Sequence, residues 1–119
     1  MRERVPLVSV VVPNYQHERY LRQRLTSIAD QTFQDVEVLL LDDASTDGSL
    51  ALLEEFATGR PGWSVHPNTE NSGSPFAQWN KAASLARGRY LWIAESDDFA
   101  DPRLLERLVA ELESDPSLV

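Results

Sequence analysis

The chain has 119 residues, 42% of them hydrophobic, and no cysteine. That length supports one domain with a real core, expected to span residues 1–119, and it excludes a disulfide framework and a thiolate metal site. With 19 acids against 11 bases the net charge is −8, which argues against a basic nucleic-acid-binding surface and means that an anionic ligand would need local help from a metal ion or a helix N-terminus.

Leu7 to Val12, LVSVVV, is a β-branched run closed by Pro13. It is short, interrupted by Ser9 and followed by no small-residue cleavage site, so it reads as a strand rather than a signal peptide. No apolar run approaches the ~20 residues needed to cross a bilayer. Glu18 to Asp30 places Leu21, Leu25, Ile28 and Ala29 at helical spacing. Val36 to Leu41 is a second strand, stopping at Asp42 and Asp43. Residues 47–57 read as a helix with Leu50, Leu53, Phe56 and Ala57 on one face, and with Ser45, Thr46 and Asp47 as candidate N-caps. A turn at 59–62 leads to a short strand, Trp63 to His66. A polar loop then precedes a helix from Pro75 to Ala86, which ends at Arg87 and Gly88. Tyr90 to Ala94 is the fourth strand. Asp101 caps a last helix from Pro102 to about Glu113, with Leu104, Leu105, Leu108 and Leu112 inward.

The order is β-α-β-α-β-α-β-α. The better strands are apolar throughout rather than alternating, as strands buried on both faces are. The expected fold is therefore a three-layer α/β sandwich with a mostly parallel, Rossmann-like sheet. In such sheets ligands gather at the carboxyl ends of the strands. Three strand ends carry polar chemistry here: Pro13-Asn14-Tyr15, Asp42-Asp43 and Glu95-Ser96-Asp97-Asp98.

Each stretch admits two readings. The acids at 95–98 are either a solvated loop, with Asp98 or Asp101 capping the next helix, or a divalent-cation site. In the second case Glu95 and Asp97, alternate residues of an extended chain, reach one ligand. The pair Asp42-Asp43 exceeds what a cap requires, and an acid there can accept from a base N–H or a ribose hydroxyl. Tyr15 is a surface aromatic or a platform for a nucleobase. Gly73 supplies backbone geometry that other residues resist, and the helix after it offers an N-terminus to phosphate. Trp79 reads as core. Asn80 and Lys81 are candidate site groups, Lys81 equally a solvated charge. His17 and His66 read as isolated surface residues.

Together and in this order, VSVVVPNYQHERYLRQRLTSIADQTF at 8–33, VLLLDDASTDGS at 38–49 and NSGSPFAQWNKAASLARGRYLWIAESDDFADP at 71–102 resemble glycosyltransferase family 2, with its GT-A fold. The resemblance implies strand order 3-2-1-4 and an inverting transfer of sugar from a nucleotide diphosphate to an acceptor hydroxyl, in polysaccharide or glycoconjugate synthesis. It implies that Pro13, Asn14 and Tyr15 line the base pocket. Asp43 contacts base or ribose, Asn80 belongs to the nucleotide site, and Glu95 touches the ribose or the metal's water shell. Asp97 is the expected ligand of Mn²⁺ or Mg²⁺. UDP-sugar is the default donor, with dTDP and GDP open, and the acceptor is a sugar or lipid-linked glycan. The expected compartment is cytoplasmic, with membrane contact only through further sequence.

Two departures stand out. Glu95 occupies the place of the usual first Asp, and Trp79 stands where many members have Arg. The acceptor pocket and general base of the family come from sequence after the donor half, so the base is expected outside this chain. A non-catalytic nucleotide-sugar-binding module remains the alternative. A phosphoacceptor receiver domain fits poorly, because its acid pair follows the first strand and its acceptor Asp ends the third. A nucleotidyltransferase lacks its basic Gly-rich loop here.

Overall fold

A computed structural model describes residues 5–96 and 100–114. Eight elements alternate: β1 (Val8–Asn14), α1 (Glu18–Ala29), β2 (Val36–Asp42), α2 (Ser49–Ala57), β3 (Trp63–Pro67), α3 (Pro75–Leu85), β4 (Tyr90–Ile93) and α4 (Leu104–Ser114). The strands form one sheet in the order β3-β2-β1-β4, and every pairing is parallel. This is the architecture and strand order expected from the sequence.

The all-apolar strands are explained by two cores. Val8, Val10, Val12, Val38 and Leu40 face one way and pack with Leu21, Leu25 and Ile28 of α1, Leu53 and Phe56 of α2, and Leu105 and Val109 of α4. Val11, Leu39 and Leu41 face the other way and meet Ala82 of α3. Each fully buried Val or Leu contributes on the order of 1.5–3 kcal/mol through removal from water. The central strands therefore anchor the fold, and the loops at their carboxyl ends are free to carry chemistry.

The register aligns those ends. Asn14 lies beside Asp42, and Asp42 beside Pro67. The ladder runs one residue further on each side: Asp43 N–H donates to Asn14 O at 2.9 Å, and Asn68 N–H to Asp42 O at 2.7 Å. The chain leaves β1 and β2 through two left-handed residues that are not glycine, Gln16 (φ 59°) and Ala44 (φ 60°). Such conformations cost on the order of 1–3 kcal/mol each and persist only where surrounding bonds enforce them. At Gln16 that enforcement is visible, because its side-chain carbonyl accepts from Thr46 N–H (2.7 Å) and Asp47 N–H (3.1 Å).

Helix starts differ from expectation. α2 begins at Ser49, two residues late, with Gly48 at the N-cap position. Asp47 still caps, but from one residue further back: its carboxylate accepts from Ser49 N–H at 2.9 Å and, across the loop, from Glu18 N–H at 3.2 Å. Glu18 returns the contact by accepting from Gly48 N–H at 2.8 Å. The first turns of α1 and α2 thus satisfy each other's orphan donors. α4 begins at Leu104 rather than Pro102, while Asp101 accepts from Arg103 N–H at 2.8 Å. Its inward stripe is Leu105 and Val109; Leu108 is 44% exposed, because the buried pair is spaced i, i+4 and Leu108 falls to one side of it.

One buried cluster has no counterpart in the sequence reading. Ser9 and Glu37 are register partners on the face beneath α3. Ser9 Oγ donates to Glu37 Oε2 at 2.6 Å, and Arg87 N–H and Nε reach the same carboxylate at 2.6 and 3.2 Å. Gly88 N–H donates to Ser9 Oγ at 2.7 Å. This pins the turn from α3 into β4. A Cβ on Gly88 would lie 2.6 Å from Ser9 N and 2.8 Å from Val8 C, which is backbone and cannot move aside. Gly88→Ala is expected to lower stability by about 1–3 kcal/mol through overpacking. Denaturant unfolding measures this; an unchanged midpoint would show that the turn relaxes freely.

Candidate functional site

A cavity of about 360 Å³ opens at the carboxyl edge of the sheet. Pro13, Asn14, Tyr15 and His17 line it from the end of β1, Asp43 from the end of β2, and Glu95 from the end of β4. Asn71, Gly73 and Ser74 of the 68–74 loop, with Gln78 and Trp79 of α3, close the remaining side. Five of the sequence-predicted residues, Pro13, Asn14, Tyr15, Asp43 and Glu95, therefore meet at one place. Asn80 does not: it is exposed on α3 and lines no part of the cavity. Helical geometry explains this, since Gln78 and Trp79 occupy the inward arc and Asn80 turns past it. Asp97 lies outside the described residues, as does Asp98.

The two adjacent aspartates divide their work. Asp42 is buried and structural: its carboxylate accepts from Asn14 Nδ2 (2.9 Å), Ser45 N–H (3.0 Å) and Ser45 Oγ (2.7 Å). Asp43 faces the cavity and holds the neighbouring loop. Its Oδ1 accepts from Asn68 Nδ2 and Ser72 N–H, both at 2.8 Å, and its Oδ2 from Ser72 Oγ at 2.7 Å. A carboxylate has about four acceptor positions, so one remains, on Oδ2. Burial pushes the Asp43 carboxyl up, but these bonds and the charge of Lys81 outweigh it and hold the group below its ordinary value. Asp43 is an anion that can accept one further donor from a ligand.

Lys81 is neither a solvated charge nor a cavity group. Its Nζ donates to Asn68 Oδ1 at 2.7 Å and to His66 O at 3.3 Å, bracing the loop from behind. His66 is half-buried and paired with Ser64 Oγ at 2.8 Å. Burial, then Lys81, depress its pKa against the opposing pull of Glu37. His17 is also not an isolated surface residue. It lines the cavity, and its Nδ1 lies 2.7 Å from Oγ of buried Ser96. Arg24, buried beneath the same strand end, donates from Nε to Glu95 O at 2.8 Å. Two side chains of the β1–α1 region thus fix the start of the acidic segment after β4. Trp79, read as core, is half-buried at the cavity wall with Phe76 edge-on at 5.1 Å. Tyr15, at 46% exposure, presents an open ring.

Two residues at the cavity carry buried polar atoms without a partner among the described residues, Asn14 Oδ1 in the Asp42–Ser45 network and Gln78 Nε2 on α3. Sequence reasoning missed Gln78, His17 and Asn71 as site residues. The polar, Gly-containing loop before the helix start was the signal near Asn71 and Gln78, and His17 had none. Among the described residues no group of three or more His, Cys, Asp or Glu is arranged to hold a metal, and no helix is long and apolar enough to cross a membrane.

The parallel sheet with an acidic, aromatic-walled cavity at its carboxyl edge defines the class: an α/β domain of GT-A type. The sequence pattern described as Glycosyl transferase family 2 matches residues 9–119, and the chain belongs to that family. It is 37% identical over 121 residues to a chondroitin synthase of Escherichia coli, an alignment covering 98% of this chain and 17% of the relative. Among solved structures, S. aureus TarS 1–349 in complex with UDP-GlcNAc superposes with a TM-score of 0.84 at 32% identity, covering 90% of this chain and 31% of that one. The mannosyltransferase PcManGT from Pyrobaculum calidifontis, in complex with GDP-Man and Mn²⁺, gives 0.82 at 29% identity, covering 93% and 33%. The chain therefore spans a third or less of each of these relatives.

Proposed function

We propose that this chain is the donor-binding part of an inverting glycosyltransferase that takes a nucleotide-diphosphate sugar, by default a UDP-sugar, in polysaccharide or glycoconjugate synthesis. The observation that carries the proposal is the convergence of three separate strand ends on one cavity. Tyr15 supplies a stacking face for a base. Asp43 keeps one acceptor position for a base N–H or ribose hydroxyl. Glu95 stands after the end of β4, across β1 from Asp43 at the same edge of the sheet, where it meets the ribose or the shell of a metal. The relatives solved with UDP-GlcNAc and with GDP-Man and Mn²⁺ support a nucleotide sugar as the ligand class.

The cavity's own carboxylates repel a diphosphate, so a cation is needed to bring the two together. Exposed Glu95 offers the hard oxygen donor that Mg²⁺ or Mn²⁺ prefers. Asp97, outside the described residues, is proposed as the metal ligand. A bound cation would neutralise charge on the departing nucleoside diphosphate. The proton of the attacking acceptor hydroxyl needs a base within ~2.6–3.2 Å. Asp43, with three donors already on its carboxylate, is poorly suited, and the base is proposed to lie in sequence outside this chain. A lipid-linked or free glycan is the proposed acceptor.

Calorimetric titration of UDP, dTDP and GDP, with and without Mn²⁺, tests this. The expected outcome is metal-dependent binding of at least one nucleotide, weakened about tenfold or more by Asp97→Asn, as loss of a charged ligand to a divalent ion implies. Unchanged affinity in that variant would remove Asp97 from the metal site. Absence of binding by all three nucleotides would count against the donor reading of the cavity.

A further inference from the structure

We propose that Lys81, which does not line the cavity, is a positioning residue for its ligand: through Asn68 it presents Asp43 and the 68–74 loop to the bound molecule. This rests on the nucleotide reading of the cavity.

The groups concerned share one face of the sheet. Asp43 continues the alternation of Leu39 and Leu41, which pack with Ala82 of α3. Lys81, the neighbour of Ala82, is half-buried at the end of β3. Its Nζ donates to His66 O at 3.3 Å and to Asn68 Oδ1 at 2.7 Å. Asn68 N–H donates to Asp42 O at 2.7 Å, so the sheet fixes the backbone of Asn68 and the neighbours fix its side chain.

A carboxamide has a donor end and an acceptor end, and its surroundings decide which way it points. An ammonium only donates, so Asn68 turns Oδ1 toward Lys81. Its Nδ2 then donates to Asp43 Oδ1 at 2.8 Å and to Gln78 Oε1 at 3.2 Å. The chain runs from a cation through an amide to an anion, and each bond polarises the next in the same sense. Such a chain strengthens its own members. Asp43 passes the order on: it accepts from Ser72 N–H and Ser72 Oγ, and Ser72 carries the loop that brings Asn71, Gly73 and Ser74 to the cavity wall.

Removing the cation acts twice. Asn68 Oδ1 loses its charged donor, which weakens the hold of the amide on Asp43. Asp43 also loses a nearby positive charge. Burial raises the pKa of this carboxyl, while bonds from Ser72 and Asn68 and then the charge of Lys81 lower it. Without Lys81 the balance moves toward the protonated acid, which is a poorer acceptor for a base N–H or a ribose hydroxyl. One lysine outside the cavity thus governs both the acceptor offered to the ligand and the loop beside it.

The test is calorimetric titration with Mn²⁺ and whichever of UDP, dTDP and GDP binds the unmodified chain most tightly. It is run on the chain, Lys81→Met, Lys81→Arg and Asn68→Ala over a series of pH values, with denaturant unfolding of each. Lys81→Met keeps the length but removes charge and donor, and is expected to bind about tenfold more weakly. Lys81→Arg keeps both and is expected to stay within about threefold of the unmodified chain. The deciding readout is pH. Affinity falls as Asp43 takes up a proton, and in Lys81→Met that fall is expected at higher pH. The nucleotide's own phosphate titrates alike against every variant and cancels in the comparison. A lysine that only stabilised the fold would move the unfolding midpoint and leave this acid limb in place. Asn68→Ala breaks the relay but keeps the lysine; it is expected to move the limb in the same direction, and it carries the test should Lys81→Met fail to fold. An affinity within about threefold of the original in Lys81→Met, or an acid limb unmoved in both Lys81→Met and Asn68→Ala, would overturn the proposal and leave the nucleotide reading standing. Binding of none of the three nucleotides by the unmodified chain would defeat the nucleotide reading itself, and this proposal with it.

Discussion

Asp43→Ala is expected to weaken metal-dependent UDP binding by about a hundredfold or more, roughly 2.7 kcal/mol. Two losses combine. The ligand loses an anionic acceptor, and hydrogen bonds to charged groups contribute about 1.5–3 kcal/mol. The loop also loses its anchor: Asn68 Nδ2, Ser72 N–H and Ser72 Oγ all donate to this carboxylate. Asn71, Gly73 and Ser74, which wall the cavity, ride on that loop. Asp43→Asn keeps the shape but puts an amide donor where an acceptor stands, and it is expected to fall between the two. Calorimetry of both variants beside the unmodified chain decides it. An affinity within threefold of the original in Asp43→Ala would mean that the loop holds itself and the ligand does not use this carboxylate.

The second large effect lies at the other end of the sheet and concerns stability rather than binding. Glu37→Ala is expected to lower the unfolding free energy by about 3 kcal/mol, because it leaves the partners of a buried charge without their acceptor. Glu37 is 5% exposed and takes Ser9 Oγ, Arg87 N–H and Arg87 Nε. It sits five residues before Asp42 on β2, about 16 Å away at the rise of a strand, so nucleotide affinity should stay within about twofold. Chemical denaturation and nucleotide titration on the same variant separate the two readouts. A loss of binding as large as the loss of stability would contradict the separation.

Glu37 also predicts the acid limb of stability. Burial raises its pKa, but the bonds from Ser9 and Arg87 prevail and hold it below the ordinary glutamate value; Asp43 and Asp47 are held down in the same way, against burial, by Ser72 and Asn68 and by Ser49. A carboxyl with a depressed native pKa binds fewer protons folded than unfolded. Its contribution is complete above the unfolded value of about 4 and is lost as pH falls through the native one. His66, depressed by burial and Lys81, acts in the same direction at higher pH: the unfolded chain takes its proton first, below about 6.5. Stability should therefore fall in two stages on acidification. In Glu37→Ala the lower stage should be shallower.

The sequence by itself determined the layers and the edge of the sheet at which the cavity opens. Apolar runs such as Val10–Val12 and Val38–Leu41 state that both faces of each strand are buried, and alternation with helical spacing makes the sheet parallel. Residues that interrupt those runs at their carboxyl ends, Asn14, Asp43 and Glu95, lie at the edge where the cavity opens. This works because strand burial and strand-end chemistry are local properties of the chain. Ser9 and Glu37 were legible only as polar residues in apolar strands. That they face each other beneath Arg87 depends on register, which no single strand encodes.

Only the tertiary structure decided which residue of each cluster does what. The residue pattern alone treats Asp42 and Asp43 alike, and only the family resemblance singled out Asp43. Alternation on a strand turns one into the Asn14–Ser45 network and the other toward the cavity. His17 is isolated in sequence, yet it meets Ser96, 79 positions away, because β4 pairs with β1. Asn80 and Gln78 are neighbours on one helix, and the helical turn places Gln78 at the cavity and Asn80 outside it. The direction of the Gln78 amide rests on Lys81, Asn68 and Asp43, contributed by α3, the loop after β3 and the end of β2. Hydrogen-bond polarity passes from side chain to side chain through space, so it exists only once the fold has brought those groups together.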